Sequence, residues 1–161
     1  MAIAVYPGSF DPVTCGHLDI IERAAQIFEG LNVTVFSNPN KKHLFSPQER
    51  MDMLREATKP FNNVTIDSYT GLLTQYTREK DIKIVVKGLR AVSDFLYEFQ
   101  MALTNKKLEP ELETLLIISS AQYSYLSSSI VKELAYFDGC LKGLVPPYVE
   151  NKLINKIKGT R

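Results

Sequence analysis

Twelve residues near the start of the chain, YPGSFDPVTCGH at 6–17, put a histidine beside a glycine at the end of a Pro- and Gly-marked loop. A helix opening at about residues 16 to 18 would set His17 among unpaired backbone N–H groups at the positive end of a helix dipole, where small anions bind. An imidazole there donates to a phosphate oxygen whether neutral or protonated. Gly16, without a Cβ, lets a ligand approach the backbone. By itself a histidine in a first turn is more often a cap or a surface residue. Three other stretches share its chemistry. SNPNKKH holds Lys41 and Lys42, KGLR sets Lys87 and Arg90 on either side of Gly88 and Leu89, and SSAQYSYLSSSIVKE carries the hydroxyls of Ser127, Ser128 and Ser129 at a helix start. A glycine flanked by two cations suits a phosphate cradle. One serine is accounted for as an N-cap, and three together with helix-start amides make a second anion seat.

What gives these stretches a common address is the order of elements. Short β-branched runs at 2–6, 31–36, 63–67, 82–86 and 113–119 alternate with segments of helical period. In the first helix Ile21, Ala24, Ala25 and Phe28 recur on one face. In the second, Met51 and Leu54 do so after a capping-box start at Ser46, Pro47 and Glu49. Residues 144–159, LVPPYVENKLINKIKG, read as a Pro-marked turn and a last helix with a solvated lysine face. The alternation predicts an α/β fold, an open Rossmann-like parallel sheet of about five strands with helices on both faces. The apolar runs at 82–86 and 115–118 would then be buried on both sides. Ligands of such sheets lie at the carboxyl ends of the strands. All four chemically biased loops fall at that edge, so the expected ligand is a polyphosphate or a nucleotide.

Bulk properties narrow the choice. A chain of 161 residues with 45% hydrophobic and 23% charged residues fits one globular domain over 1–161. A net charge of +1 argues against a nucleic-acid partner, and no apolar run is long enough for a membrane span. The N-terminus lacks a signal-peptide pattern, and Cys15 and Cys140 make no disulfide framework, so a cytoplasmic protein is expected. Cys15, His17, His43 and Cys140 have no zinc-ligand spacing. Cys15 reads as a small loop residue rather than a nucleophile, although a helix start would lower its pKa. There is no G-x-x-x-x-G-K-[ST], no G-x-G-x-x-G after a strand and no G-x-S-x-G elbow.

YPGSFDPVTCGH, KGLRAVSDFLYEFQ and YSYLSSSIVKE together resemble the phosphopantetheine adenylyltransferases, enzymes of bacterial coenzyme A synthesis within the nucleotidyltransferase superfamily, with matching order and spacing over nearly the whole chain. TCGH is similar to the superfamily's H-x-G-H signature, with Thr14 at the first histidine. The resemblance implies a homohexamer that uses Mg²⁺ and joins ATP to 4′-phosphopantetheine, giving dephospho-coenzyme A and pyrophosphate. It implies catalytic roles for His17, Lys41 and Arg90, and acceptor contacts for Ser9, Lys41, Leu73 and Lys87. Lys87 stands where the family more often has arginine, which keeps the charge and loses the planar fork. ATP contacts are implied for Ser9, Phe10, His17, Gly88, Leu89, Arg90, Glu98 and the run Tyr123, Ser124, Tyr125, Leu126, Ser127, Ser128 and Ser129. The metal's ligands are left unassigned, because Mg²⁺ in such sites usually keeps waters and leans on substrate phosphates. The acceptor phosphate is already anionic, so the reaction needs alignment and charge neutralisation rather than a general base. Transfer to another phosphorylated acceptor, or nucleotide binding without turnover, are the competing readings.

Overall fold

A computed structural model of the chain describes residues 2–37 and 42–159; Lys41 lies outside them. Five strands, β1 (Ile3–Gly8), β2 (Gly30–Phe36), β3 (Val64–Tyr69), β4 (Ile84–Leu89) and β5 (Glu113–Ile118), form a parallel sheet in the order β3-β2-β1-β4-β5. Between and after them run α1 (Cys15–Ile27), α2 (Pro47–Thr58), α3 (Leu73–Glu79), α4 (Val92–Leu108), α5 (Ser128–Tyr136) and α6 (Pro147–Lys158). The fold is the Rossmann-like α/β sheet that the alternation predicts.

The register explains where a crevice opens. β1 pairs with β2 along its whole length, from Ile3 opposite Gly30 to Gly8 opposite Val35, yet with β4 only at Ala4 and Val5. β4 meanwhile stays with β5 as far as Leu89 opposite Ile118. The two central strands therefore part beyond Val5, at the point where strand order reverses, and leave a gap at their carboxyl ends. Two readings of the sequence change here. Pro7 and Gly8 are strand rather than turn: Pro7 has no N–H to give, and pairing toward β4 has already ended. Lys87, Gly88 and Leu89 likewise continue β4 instead of forming a loop.

Alternate residues of the central strands feed two cores. Ala4, Tyr6 and Val86 pack with Ile20, Ile21 and Ala24 of α1, Met53 and Leu54 of α2, and apolar residues of α5 and α6. Val5 and Val85 face the other way, into a small cluster with Tyr76, Ile82 and Leu112. The inward face of α2 also carries Arg50, one of the largest side chains fully buried, beside Met51, which packs partly buried against the core as the periodicity predicts. β5 is an edge strand, with Leu115 and Ile118 exposed, so its apolar run is not covered on both sides. Beside it, α4 buries only Asn105 and leaves Val92, Phe95, Leu96, Phe99 and Leu103 exposed in a stripe at helical spacing.

Candidate active site

The gap between β1 and β4 is a cleft of about 410 Å³. Tyr6, Pro7 and Gly8 line it from β1, Gly16 and His17 from α1, Lys87 and Gly88 from β4, Ser93, Asp94 and Glu98 from α4, and Leu126, Ser127 and Ser128 from the start of α5.

His17 is the third residue of α1, which begins at Cys15, earlier than the sequence signals indicate, because Thr14 caps it. The Thr14 hydroxyl accepts from the His17 backbone N–H at 3.3 Å, and the Thr14 backbone N–H donates to His17 Nδ1 at 3.0 Å. This is a capping box with histidine in place of the usual Glu or Gln. A ring nitrogen that accepts from an amide carries no proton, so the neutral ring holds its proton on Nε2. Burial, and then the nearby Arg90 charge, pull the His17 pKa down to about 4, so the ring is an uncharged donor at neutral pH. Phe10 stacks edge-on against it at 5.1 Å and against Tyr6 at 5.4 Å. Phe10 takes a φ of 47°, and a Cβ on Gly8 would lie 2.9 Å from its ring, so glycine is required beside it.

Opposite His17, Arg90 reaches across the cleft mouth. Its Nη1 donates to the Leu126 carbonyl at 2.7 Å, while Nε and Nη2 donate to the Asp94 carboxylate at 3.0 and 3.4 Å. The arginine thus ties the end of β4 to the segment before α5. Lys87 Nζ lies 3.4 Å from Glu98 Oε2. Burial pushes the Tyr6 hydroxyl far above its ordinary pKa, against the opposing pull of Arg90, so it stays protonated on the cleft floor.

Of the residues singled out from sequence, Phe10, His17, Lys87, Gly88, Arg90, Glu98, Tyr123, Leu126, Ser127 and Ser128 come together in this cleft. Ser9, Leu89, Ser124, Tyr125 and Ser129 stand next to it without lining it, and Leu73, at the start of α3, packs against the cluster around Tyr76. Two serines of the triplet have structural partners: Ser127 caps α5 by accepting from the Ile130 N–H at 3.2 Å, and Ser128 donates to the Pro12 carbonyl at 2.8 Å. Burial pushes the Cys15 thiol up, opposite to the lowering that a helix start would give. Sequence reasoning missed Tyr6, Ser93, Asp94 and Tyr97. Asp94 was legible as the acid four residues after Arg90, a helical ion-pair spacing.

Asp11 ties the loops behind the cleft. Its carboxylate accepts from the Leu44 and Phe45 amides, both at 2.9 Å, and from Lys132 Nζ at 3.1 Å. Burial works to raise its pKa, but these donors outweigh it and hold the carboxyl below the ordinary range.

The sequence profile of the cytidylyltransferase-like family matches residues 5–134, a span that includes every cleft element. In fold, the chain superposes with a TM-score of 0.73 on the crystal structure of a bifunctional NMN adenylyltransferase/ADP ribose pyrophosphatase from Francisella tularensis, at 16% identity, over 98% of this chain and 50% of that one. A phosphopantetheine adenylyltransferase of Carboxydothermus hydrogenoformans is 58% identical over 158 residues, 98% of each chain. The chain belongs to the phosphopantetheine adenylyltransferase family. A second phosphopantetheine adenylyltransferase, from Clostridium tetani, is 54% identical over 97% of this chain and 98% of its own. The likeness to phosphopantetheine adenylyltransferases therefore runs through the sheet, the cleft and the terminal helix alike.

Proposed function

We propose that this chain transfers the adenylyl group of ATP to 4′-phosphopantetheine, giving dephospho-coenzyme A and pyrophosphate. The observation that carries the proposal is the neutral His17 ring, locked by Thr14 so that its donor is Nε2–H, at a helix N-terminus in a cleft that also holds Arg90 and Lys87. An acceptor phosphate oxygen attacks the α-phosphorus of ATP in line; the new P–O bond forms as the bond to the bridging α–β oxygen breaks. Pyrophosphate leaves with that electron pair, and no proton must be removed from the nucleophile. His17 Nε2–H donates to a non-bridging α-phosphoryl oxygen as charge builds there, while Arg90 and Lys87 offset the phosphate charges. Being neutral, His17 stabilises the transition state as a hydrogen-bond donor and leaves the positive charge to the lysines and the arginine.

Acceptor contacts by Ser9, Lys41, Leu73 and Lys87 belong to the same proposal, as do nucleotide contacts along Tyr123–Ser129. Among the described residues no cluster of three His, Cys, Asp or Glu could hold a metal ion, and the cleft carboxylates Asp94 and Glu98 face Arg90 and Lys87. Mg²⁺ belongs to the same proposal, as the counter-ion of the nucleotide phosphates, an ion that usually keeps several waters and leans on substrate phosphates. A homohexamer, in which copies cover the apolar stripe of α4, completes the proposal; an apolar helix face left to water is the usual mark of an association surface. Cys15 and Cys140 are both free, in keeping with a reducing cytoplasm, and no described helix is long and apolar enough to cross a membrane. The test is pyrophosphate release from ATP on addition of 4′-phosphopantetheine. Release with another phosphorylated acceptor in its place would change the substrate assigned, and ATP binding without release would mark a binding module.

A further inference from the structure

Arg50 is a cation in a place that stability alone does not explain. It projects from the first turns of α2 and is 1% exposed. Its Nη1 donates to the Ser9 carbonyl at 2.8 Å and its Nη2 to the Ser37 hydroxyl at 3.3 Å, while its buried Nε has no partner. Among the described residues no carboxylate pairs with it. Asp11, the negative group whose field reaches it, already accepts from two amides and Lys132. Burying a guanidinium on neutral partners costs several kcal/mol, and an apolar side chain of similar volume would fill the space at less cost. Its two bonds are informative because they run to different strands. Ser9 follows β1 and Ser37 follows β2, so one planar group spans the carboxyl ends of two neighbouring strands.

Resting on the adenylyl-transfer reading above, we infer that Arg50 is a positioning residue for the acceptor phosphate. By holding the Ser9 carbonyl and the Ser37 hydroxyl it fixes how far apart the carboxyl ends of β1 and β2 stand, and so the line along which the acceptor meets the α-phosphorus. Arg50 makes no hydrogen bond to the cleft wall formed by β4, α4 and α5, which carries most of the proposed ATP contacts, so its loss is felt by the acceptor far more than by ATP. A displacement of about 1 Å at the reacting atoms costs on the order of 10²-fold in rate.

The test compares wild type with Arg50→Met, Arg50→Lys and Ser37→Ala in steady-state pyrophosphate release with each substrate varied, ATP affinity by calorimetry and thermal unfolding. Expected are a fall of about 10²-fold in kcat/KM for 4′-phosphopantetheine in Arg50→Met and partial rescue in Arg50→Lys. A loss of about threefold to tenfold is expected in Ser37→Ala, with the ATP Kd within about threefold of wild type throughout. Folded Arg50→Met with unchanged acceptor kinetics overturns the inference, as does ATP affinity falling in step with acceptor kinetics. If Arg50→Met does not fold, wild-type acceptor kinetics in both Arg50→Lys and Ser37→Ala overturn it. A wild type that releases no pyrophosphate removes the adenylyl-transfer reading and this inference with it; an active wild type with indifferent variants removes this inference alone.

Discussion

The backbone N–H of Thr14 donates to Nδ1 of His17 at 3.0 Å, and this one bond decides which ring nitrogen of the histidine is free to act. With Nδ1 occupied as an acceptor, the neutral ring carries its proton on Nε2 and titrates at about 4. Nitrogen chemical shifts of the His17 ring are expected to show Nε2 protonated and Nδ1 bare at pH 7, with titration centred near 4. A ring that titrates at its ordinary 6.5, or carries its proton on Nδ1, would contradict this geometry.

The same shift makes stability depend on pH. Between about 6.5 and 4 the unfolded chain binds a proton at His17 that the folded chain refuses, so the folded state is destabilised as pH falls through that window. The contribution is complete above pH 6.5 and lost by pH 4, with an upper bound of about 3 kcal/mol. Urea unfolding of wild type should show the slope, and His17→Gln should flatten it. A slope in that window that His17→Gln leaves unaltered would show that other groups cause it.

Arg90 holds Leu126 and Asp94 at once, which a lysine has no fork to do. Arg90→Lys is expected to raise the KM for ATP about tenfold, the worth of a charge-assisted hydrogen bond. Asp94→Asn keeps an acceptor for Arg90 and should cost less. Equal KM values for wild type and Arg90→Lys would remove the role of the fork.

The stripe on α4 predicts self-association. Leu96→Asp combined with Phe99→Asp sets charge into a surface that is apolar at Val92, Phe95, Leu96, Phe99 and Leu103. Sedimentation should show a hexamer for wild type and smaller species for the double variant, with helix content retained. An unchanged particle mass would place the contact between copies elsewhere.

The alternation of strands and helices was legible because each element carries its own period, and the sheet edge that bears His17, Gly88 and Arg90 follows from that alternation alone. The parting of β1 from β4 was not legible, since it depends on a register between strands far apart in sequence. Ser129 carries the right chemistry in sequence and stands beside the cleft without lining it, because a helix start has several exposed positions, while Leu73, named by family likeness alone, opens α3 and packs against the cluster around Tyr76. Arg50 escaped notice for the opposite reason. In PQERMDMLREAT it reads as a surface charge beside Glu49, and only the packed fold turns it inward. Cys15 shows the limit of a local rule: a helix start favours the thiolate, and burial among apolar neighbours reverses the sign.

The most direct measurement is pyrophosphate release from ATP on addition of 4′-phosphopantetheine, by wild type and by His17→Ala, with ATP affinity measured alongside. The account predicts release by wild type, a loss of about 10²–10³ in kcat for His17→Ala, and an ATP Kd that changes little. Release by His17→Ala at the wild-type rate, or none by wild type, would contradict it.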